Sequence, residues 1–294
     1  MQTLKSALIA LALTCAAPAI AAAQSVDEEE IVVTGQRVRE MVRAFVQEVA
    51  PPEMSEEQMA RWNSRYCPLM AGIPARQAQY LVDRMSQRAH ELGLRPGDEN
   101  CQANVLVFVT PDADVLAQAL AGDHDLVAYY NNAEYGNTLG RDALAEFVAS
   151  DAPVRWWHVA QTVDSQGQIL DNDGDVTRAQ ASRLYRATRQ DFNRVLVIVD
   201  ARQAAGLNFE ALGDYLAMVT LAQLDARANA SAVPSILNLF SERAINGGAS
   251  ARLTDWDQAY LRGLYDAPRH APNTDAQERA IAREMEDTLS APAQ

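Results

Sequence analysis

RVLVIVD, residues 194–200, is the stretch on which the fold turns. Five consecutive apolar residues, four of them β-branched, stand between a cation and an acid. An unbroken apolar run predicts a strand covered on both faces, in the middle of a sheet flanked by helices. NVLVFV, residues 104–109, is a second run of this type. VRWWHVAQTV, residues 154–163, reads as a further strand, rich in aromatic and β-branched residues.

Helical patterns interleave with these strands. Pro74 opens an amphipathic helix with Ala78, Leu81, Val82, Met85, Ala89 and Leu92 on one stripe, and Gly93 ends it. Pro111 opens another that runs through Leu120, with Asp112 and Asp114 at its positive end. Asp142 to Val148 reads as a short helix and Val176 to Phe192 as a longer one. Asn208 caps FEALGDYLAMVTLAQL, residues 209–224, which is apolar nearly all round and therefore belongs inside the protein. A tight apolar turn follows at Ser235 to Phe240. Thr254 and Asp257 then cap a helix carrying Trp256, Tyr260, Leu261, Leu264 and Tyr265, and Ile281, Met285 and Leu289 mark the last helix.

Near the N-terminus, Val32 to Arg37 reads as a short strand or extended segment, and Val38, Val42, Phe45 and Val49 as a helix stripe. Ser55 and Gln58 look like a capping pair for a helix ending near Trp62. The fold class expected is α/β (or α+β), a mixed sheet with packed helices in layers. No internal repeat or clear linker divides it. The expected organisation is a signal peptide over 1–23, an acidic leader over 24–36, one α/β domain over 37–270 and a C-terminal helix and tail over 271–294.

The signal reading rests on Lys5, an apolar core from Ala7 to Thr14, and Ala21-Ala22-Ala23 before a cut ahead of Gln24. That core is too short to span a bilayer, and no later run approaches ~20 apolar residues, so no stable membrane insertion is expected. The compartment expected is the periplasm. Lys5 is the only lysine, so the chain after the cut has neither a Schiff-base lysine nor a phosphate-loop lysine. A formal net charge of -14 repels phosphate backbones and excludes nucleic acid as an expected partner. Cys67 and Cys101, the two cysteines left after the cut, are expected to pair in an oxidising compartment.

Two resemblances follow from particular residues. The turn reads Ser235-Ile236-Leu237, and the helix after it reads L-T-D-W-D-Q-A-Y-L-R-G-L-Y from Leu253 to Tyr265. Together with the strand and buried helix before them, residues 194 to 266 resemble the metzincin class of zinc peptidases. In that class the buried helix carries H-E-x-x-H-x-x-G-x-x-H. The resemblance implies that Asp214, Met218 and Leu224 stand at the ligand positions and Tyr215 at the general base. These side chains cannot hold zinc with an open position and deprotonate water, so the resemblance implies a zincin-like scaffold without its metal and no cofactor. The second resemblance is EEEIVVTG, residues 28–35, which is similar to the TonB-box segment of outer-membrane receptors and to exported Gram-negative envelope proteins that begin in this way. The chain lacks the repeated alternating strands of a receptor barrel. Ile31 to Gly35 is therefore read either as an exposed strand for a partner's sheet edge or as an ordinary strand of the domain.

Other motifs give weaker candidates. His90, His124, His158 and His270 have no turn-spaced pair, and His158 within its strand reads as a hydrogen-bonded structural histidine. Asp171-Asn172-Asp173-Gly174-Asp175 has its glycine two places early for a calcium loop, with Ser182 at the twelfth position, and reads as a polar turn. There is no G-x-S-x-G, G-x-G-x-x-G or phosphate loop. Arg178, Arg183, Arg186, Arg189 and Arg194 cluster in one stretch, and Arg183, Arg186 and Arg189 are candidate anion-binding residues beside the plainer reading of a solvated helix face. Tyr129, Tyr130 and Tyr135 with Asn131 and Asn132 form a polar-aromatic loop. The function expected is a non-catalytic periplasmic binding or accessory protein with an envelope protein or a peptide as ligand. The alternatives are a cell-envelope hydrolase, either a divergent peptidase or a carboxylate-based enzyme, and an accessory to TonB-linked uptake.

Overall fold

The computed structural model describes residues 28–51, 58–127, 138–164, 166–170, 187–241 and 252–290. In chain order the elements are α1 (Glu28–Val49), β1 (Pro68–Ala71), α2 (Ala75–Glu91), β2 (Val105–Thr110), α3 (Ala113–Ala121), α4 (His124–Val127), α5 (Gly140–Ala149), β3 (Val154–Asp164), β4 (Thr188–Asp200), α6 (Phe209–Leu221), α7 (Asp255–Asp266) and α8 (Thr274–Ser290). Two short 3₁₀ turns, Ala230–Ala232 and Ile236–Phe240, lie between α6 and α7.

The four-stranded sheet has the order β1-β2-β4-β3. β1, β2 and β4 run parallel, with Val105 opposite Val195 and Val107 opposite Val197, and β3 is antiparallel to β4. RVLVIVD is thus an interior strand, as its unbroken apolar run requires. Val195, Val197 and Val199 face the larger core with α1, α2, α6, α7 and α8. Leu196 and Ile198 face a smaller core with Trp157, Val159 and residues of α3 and α5. The alternation of a strand places two separate apolar sets on two faces, and helices cover both.

α6 is buried from Ala211 to Leu221, in keeping with its apolar surface all round. Asn208 caps it by accepting from Glu210 N at 2.7 Å. Gly93, at φ +76°, ends α2. Cys67 and Cys101 form the expected disulfide, with Cα atoms 6.2 Å apart, and it ties the entry of β1 to the segment before β2.

Three local expectations are overturned. The helix from Val176 to Phe192 is not found in its described part: residues 171–186 lie outside the described residues, and Thr188–Phe192 begins β4. Cross-strand side-chain bonds support that strand, Gln190 Nε2 to Thr162 Oγ1 at 2.9 Å and Asn193 Nδ2 to Gln161 Oε1 at 2.8 Å. At the N-terminus, Ile31 to Gly35 is helical, not extended. Val42, Phe45, Val46 and Val49 anchor the second half of α1 in the core, and helix propagates from an anchored turn at little further cost. The 36/37 boundary therefore falls inside one helix. α8 likewise belongs to the domain core, through Ile281, Ala282 and Met285.

The third correction concerns Gln58 to Trp62, which is not helical; Ser55 lies outside the described residues. The segment crosses the interior with its peptide groups met by side chains. Met59 N donates to Gln277 Oε1 at 2.8 Å, and Ala60 N to Gln223 Oε1 at 2.6 Å. Residues 1–23 also lie outside the described residues. Among the described residues no helix is long and apolar enough to cross a membrane.

Candidate functional site

α2 and α6 pack closely because Gly213 carries no side chain. A Cβ there would lie 2.8 Å from Arg84 Cγ and 3.1 Å from Arg84 Cβ. Beside this contact Asp214 is fully buried. Arg84 donates from Nε to Oδ1 at 2.7 Å and from Nη2 to Oδ2 at 2.9 Å. Arg88, one turn on, does the same at 2.8 and 2.9 Å. Leu253 N adds a bond to Oδ2 at 2.8 Å. Burial pushes the Asp214 carboxyl upward, but the Arg88 and Arg84 hydrogen bonds outweigh it and hold its pKa below the ordinary value.

Met218 and Leu224 are also buried, at 0% and 1% exposure. Tyr215 is buried between Trp156 and Phe240, and burial raises its pKa. The face on which the resemblance would set zinc ligands is therefore closed, and its one carboxylate is saturated by two guanidinium forks.

The two quoted motifs meet at Asp257. Its Oδ1 accepts from Ser235 Oγ at 2.6 Å, and its Oδ2 from Ile236 N at 2.8 Å and from Thr254 N and Oγ1, each at 2.8 Å. Thr254 and Asp257 complete a capping box at the start of α7. One carboxylate thus locks the Ser235 turn to the helix that follows it.

A concave surface beyond the end of α6 lies along β3. A cavity of about 340 Å³ runs beside Val154 to His158, between α5 and the segment Leu224 to Arg227. Trp156 Nε1 reaches the Leu224 carbonyl at 3.2 Å. Phe147 lines the α5 side, and Glu146, Asp225 and Arg227 supply charge. Asp200 N bonds Pro153 O at 2.9 Å. By antiparallel alternation, Arg155 and Trp157 then bond to β4, while Trp156 and His158 turn N–H and C=O to the outer edge. At its far end this edge is taken by Leu170 N, which donates to Thr162 O at 3.0 Å.

His158 Nε2 donates to the Val219 carbonyl at 2.8 Å, and burial lowers its pKa to about 4, which keeps the ring neutral near pH 7. It is the structural histidine its strand position suggested. His90 is exposed on α2, His270 is half-buried and His124 begins α4. Among the described residues no group of three or more His, Cys, Asp and Glu is placed to hold a metal. Arg183 and Arg186 lie outside the described residues, as do Arg178, Tyr129, Tyr130, Tyr135, Asn131, Asn132 and Asp171 to Asp175. Arg189 sits on a strand and forks Asp191 at 2.9 and 3.1 Å.

Arg84 and Arg88 were not singled out from sequence. Their four-residue spacing puts them on one face of α2, yet which helix lies opposite is a tertiary property. Compared with protein-family models, curated proteins and solved structures, the chain has no significant match in any of the three.

Proposed function

We propose that this chain is a non-catalytic periplasmic binding protein on a degenerate zincin-like scaffold, and that its ligand is an extended peptide laid along the outer edge of β3. The order of elements supports the scaffold: a parallel sheet with one antiparallel edge strand, a buried helix directly after β4, then the Ser235 turn and α7. The observation that carries the non-catalytic reading is the saturation of Asp214 by Arg84 and Arg88. The ligand reading rests on the outward backbone of Trp156 and His158 beside the cavity, because an extended peptide binds such an edge through main-chain bonds and drops alternate side chains into pockets. The periplasmic location is supported by the signal-like residues 1–23 and by the Cys67–Cys101 disulfide.

The test uses purified mature protein titrated with a pooled library of short unstructured peptides, followed by tryptophan emission. Binding is expected, and Ala143→Trp, which fills the cavity from α5, should abolish it without lowering the melting temperature. Peptide cleavage by the wild type, or binding that survives Ala143→Trp undiminished, would overturn the reading.

A further inference from the structure

α6 is apolar to its end at Leu221, and the chain then leaves the core through Asp225-Ala226-Arg227. Asp225 N donates to Val49 O at 3.0 Å, which ties this corner to the end of α1. Trp156 Nε1, on the Leu224 carbonyl at 3.2 Å, ties it to β3. The corner stands between two cavities. Asp225 and Arg227 line the β3 cavity on one side. On the other they line a second cavity of about 530 Å³, together with Glu48 of α1 and Asp275 and Glu278 of α8.

The two cavities differ in chemistry. Phe147, Val154, Trp156 and Leu224 give the β3 cavity apolar walls, and Arg155 beside them is held by Asp114 at 2.6 Å. The second cavity holds four carboxylates, Glu48, Asp225, Asp275 and Glu278, against one guanidinium, Arg227. That guanidinium is already shared, Nε with Asp225 at 3.2 Å and Nη1 with Glu146 at 3.5 Å. Glu48 accepts from Asn229 N at 2.8 Å, a bond to a neutral group that leaves its charge in place. The adjoining sequence brings no cation: residues 52–57 after Pro51 hold Glu53, Glu56 and Glu57, and residues 128–137 hold Glu134, with no lysine or arginine in either stretch. Further along the α1–α8 groove, Arg43, Arg279 and Arg283 meet Glu286, so the acidic part is short.

The strand edge gives the ligand a direction. Leu170 N occupies its far end at Thr162 O. An extended segment on Trp156 and His158 therefore leaves past Asp225 and Arg227, into the acidic cavity. We propose, resting on the reading of the β3 edge as a peptide site, that the ligand is a cationic peptide: apolar side chains fill the β3 cavity, and one or two lysines or arginines next to them lie over Glu48, Asp275 and Glu278. Complementary charge of this kind selects the partner more than it adds affinity. The net charge of -14 draws cations to the surface as a whole, and the shared corner fixes where these come to rest.

The experiment titrates short fluorescent peptides into the purified protein at low salt and reads anisotropy. All share an alternating valine–threonine half. The other half carries a pair of lysines, of glutamines or of glutamates, and each peptide is made in both orders to cover both strand directions. The lysine peptide in its better order is expected to bind about fivefold or more tightly than the glutamine peptide, the sum of two exposed ion pairs, and the glutamate peptide to bind most weakly. Glu48→Gln with Asp275→Asn should bring the lysine and glutamine peptides level. Glutamine at 48 keeps an acceptor for Asn229 N and Asp275 is exposed, so this variant should fold. Glu99→Gln with Asp112→Asn removes the same charge at exposed positions outside the cavity and should keep the lysine preference. Equal binding of the three peptides, a preference for glutamate, or a lysine preference that Glu48→Gln with Asp275→Asn leaves intact overturns the cationic assignment and leaves the β3 reading standing. Binding by none of the peptides overturns both.

Discussion

Arg88 holds Asp214 in a two-point fork across the α2–α6 interface, Nε to Oδ1 at 2.8 Å and Nη2 to Oδ2 at 2.9 Å. The acid has no solvent exposure and the arginine side chain 11%, so the fork is a buried ion pair. Removing one partner from such a pair leaves the other charge uncompensated, at a cost of about 3–5 kcal/mol. Asp214→Ala is expected to lose that much in urea unfolding. Glu210→Gln, which removes the half-exposed partner of Arg84, should lose less than about 1 kcal/mol. The Asp214 pKa is depressed in the folded state. Its contribution is therefore present above the unfolded carboxyl value of about 4 and lost as pH falls through the folded value. The gap between wild type and Asp214→Asn should close in that acid range.

A second titration belongs to His158. Its folded pKa of about 4 lies below the ordinary 6.5. A neutral buried imidazole stabilises fully above the unfolded value, and the stability is lost as pH falls from about 6.5 to about 4, amounting to about 3 kcal/mol. Urea unfolding at several pH values should show this slope. His158→Gln keeps a donor for the Val219 carbonyl and does not titrate, so it should flatten the curve.

The Cys67–Cys101 bridge closes a loop with a sequence separation of 34. Chain entropy puts its contribution at about 3–4 kcal/mol. Cys67→Ser with Cys101→Ser should lower stability by that amount, and neither cysteine of the purified protein should react with an alkylating reagent before reduction.

Gly213→Ala sets helix propensity against packing. Propensity favours alanine by about 1 kcal/mol. The new Cβ would meet Arg84 at its Cγ and Cβ, the base of a side chain held in place by Asp214. Overpacking at such a contact costs about 1–3 kcal/mol, so a net loss is expected in calorimetric melting.

Much of the fold was legible because burial leaves a mark on local composition. RVLVIVD and the all-round apolar α6 announce interior elements, and the Thr254–Asp257 box announces the start of α7. What stayed illegible depends on neighbours. Thr188 to Asn193 has no apolar run, and it is a strand because Thr162 and Gln161 of β3 accept its side chains. Ile31 to Gly35 is β-branched yet helical, carried by the packed turns that follow. Asp214 was visible as the acid in the middle of an apolar helix. Its partners were not, because nothing in α2 states that Arg84 and Arg88 face α6. The β3 cavity was hidden for the same reason, since its walls come from α5 and from residues after α6.

Asp214, held by Arg84 and Arg88, is a structural anchor between α2 and α6, and no zinc is expected to bind it. Thermal unfolding of the purified protein in chelator and in stoichiometric zinc tests this directly. A metal bound only by the native state raises its stability through linkage. Coincident curves are expected in wild type, together with a large loss of melting temperature in Asp214→Ala in both conditions. A wild-type melting temperature that zinc raises by several degrees, with the rise absent in Asp214→Ala, would contradict it.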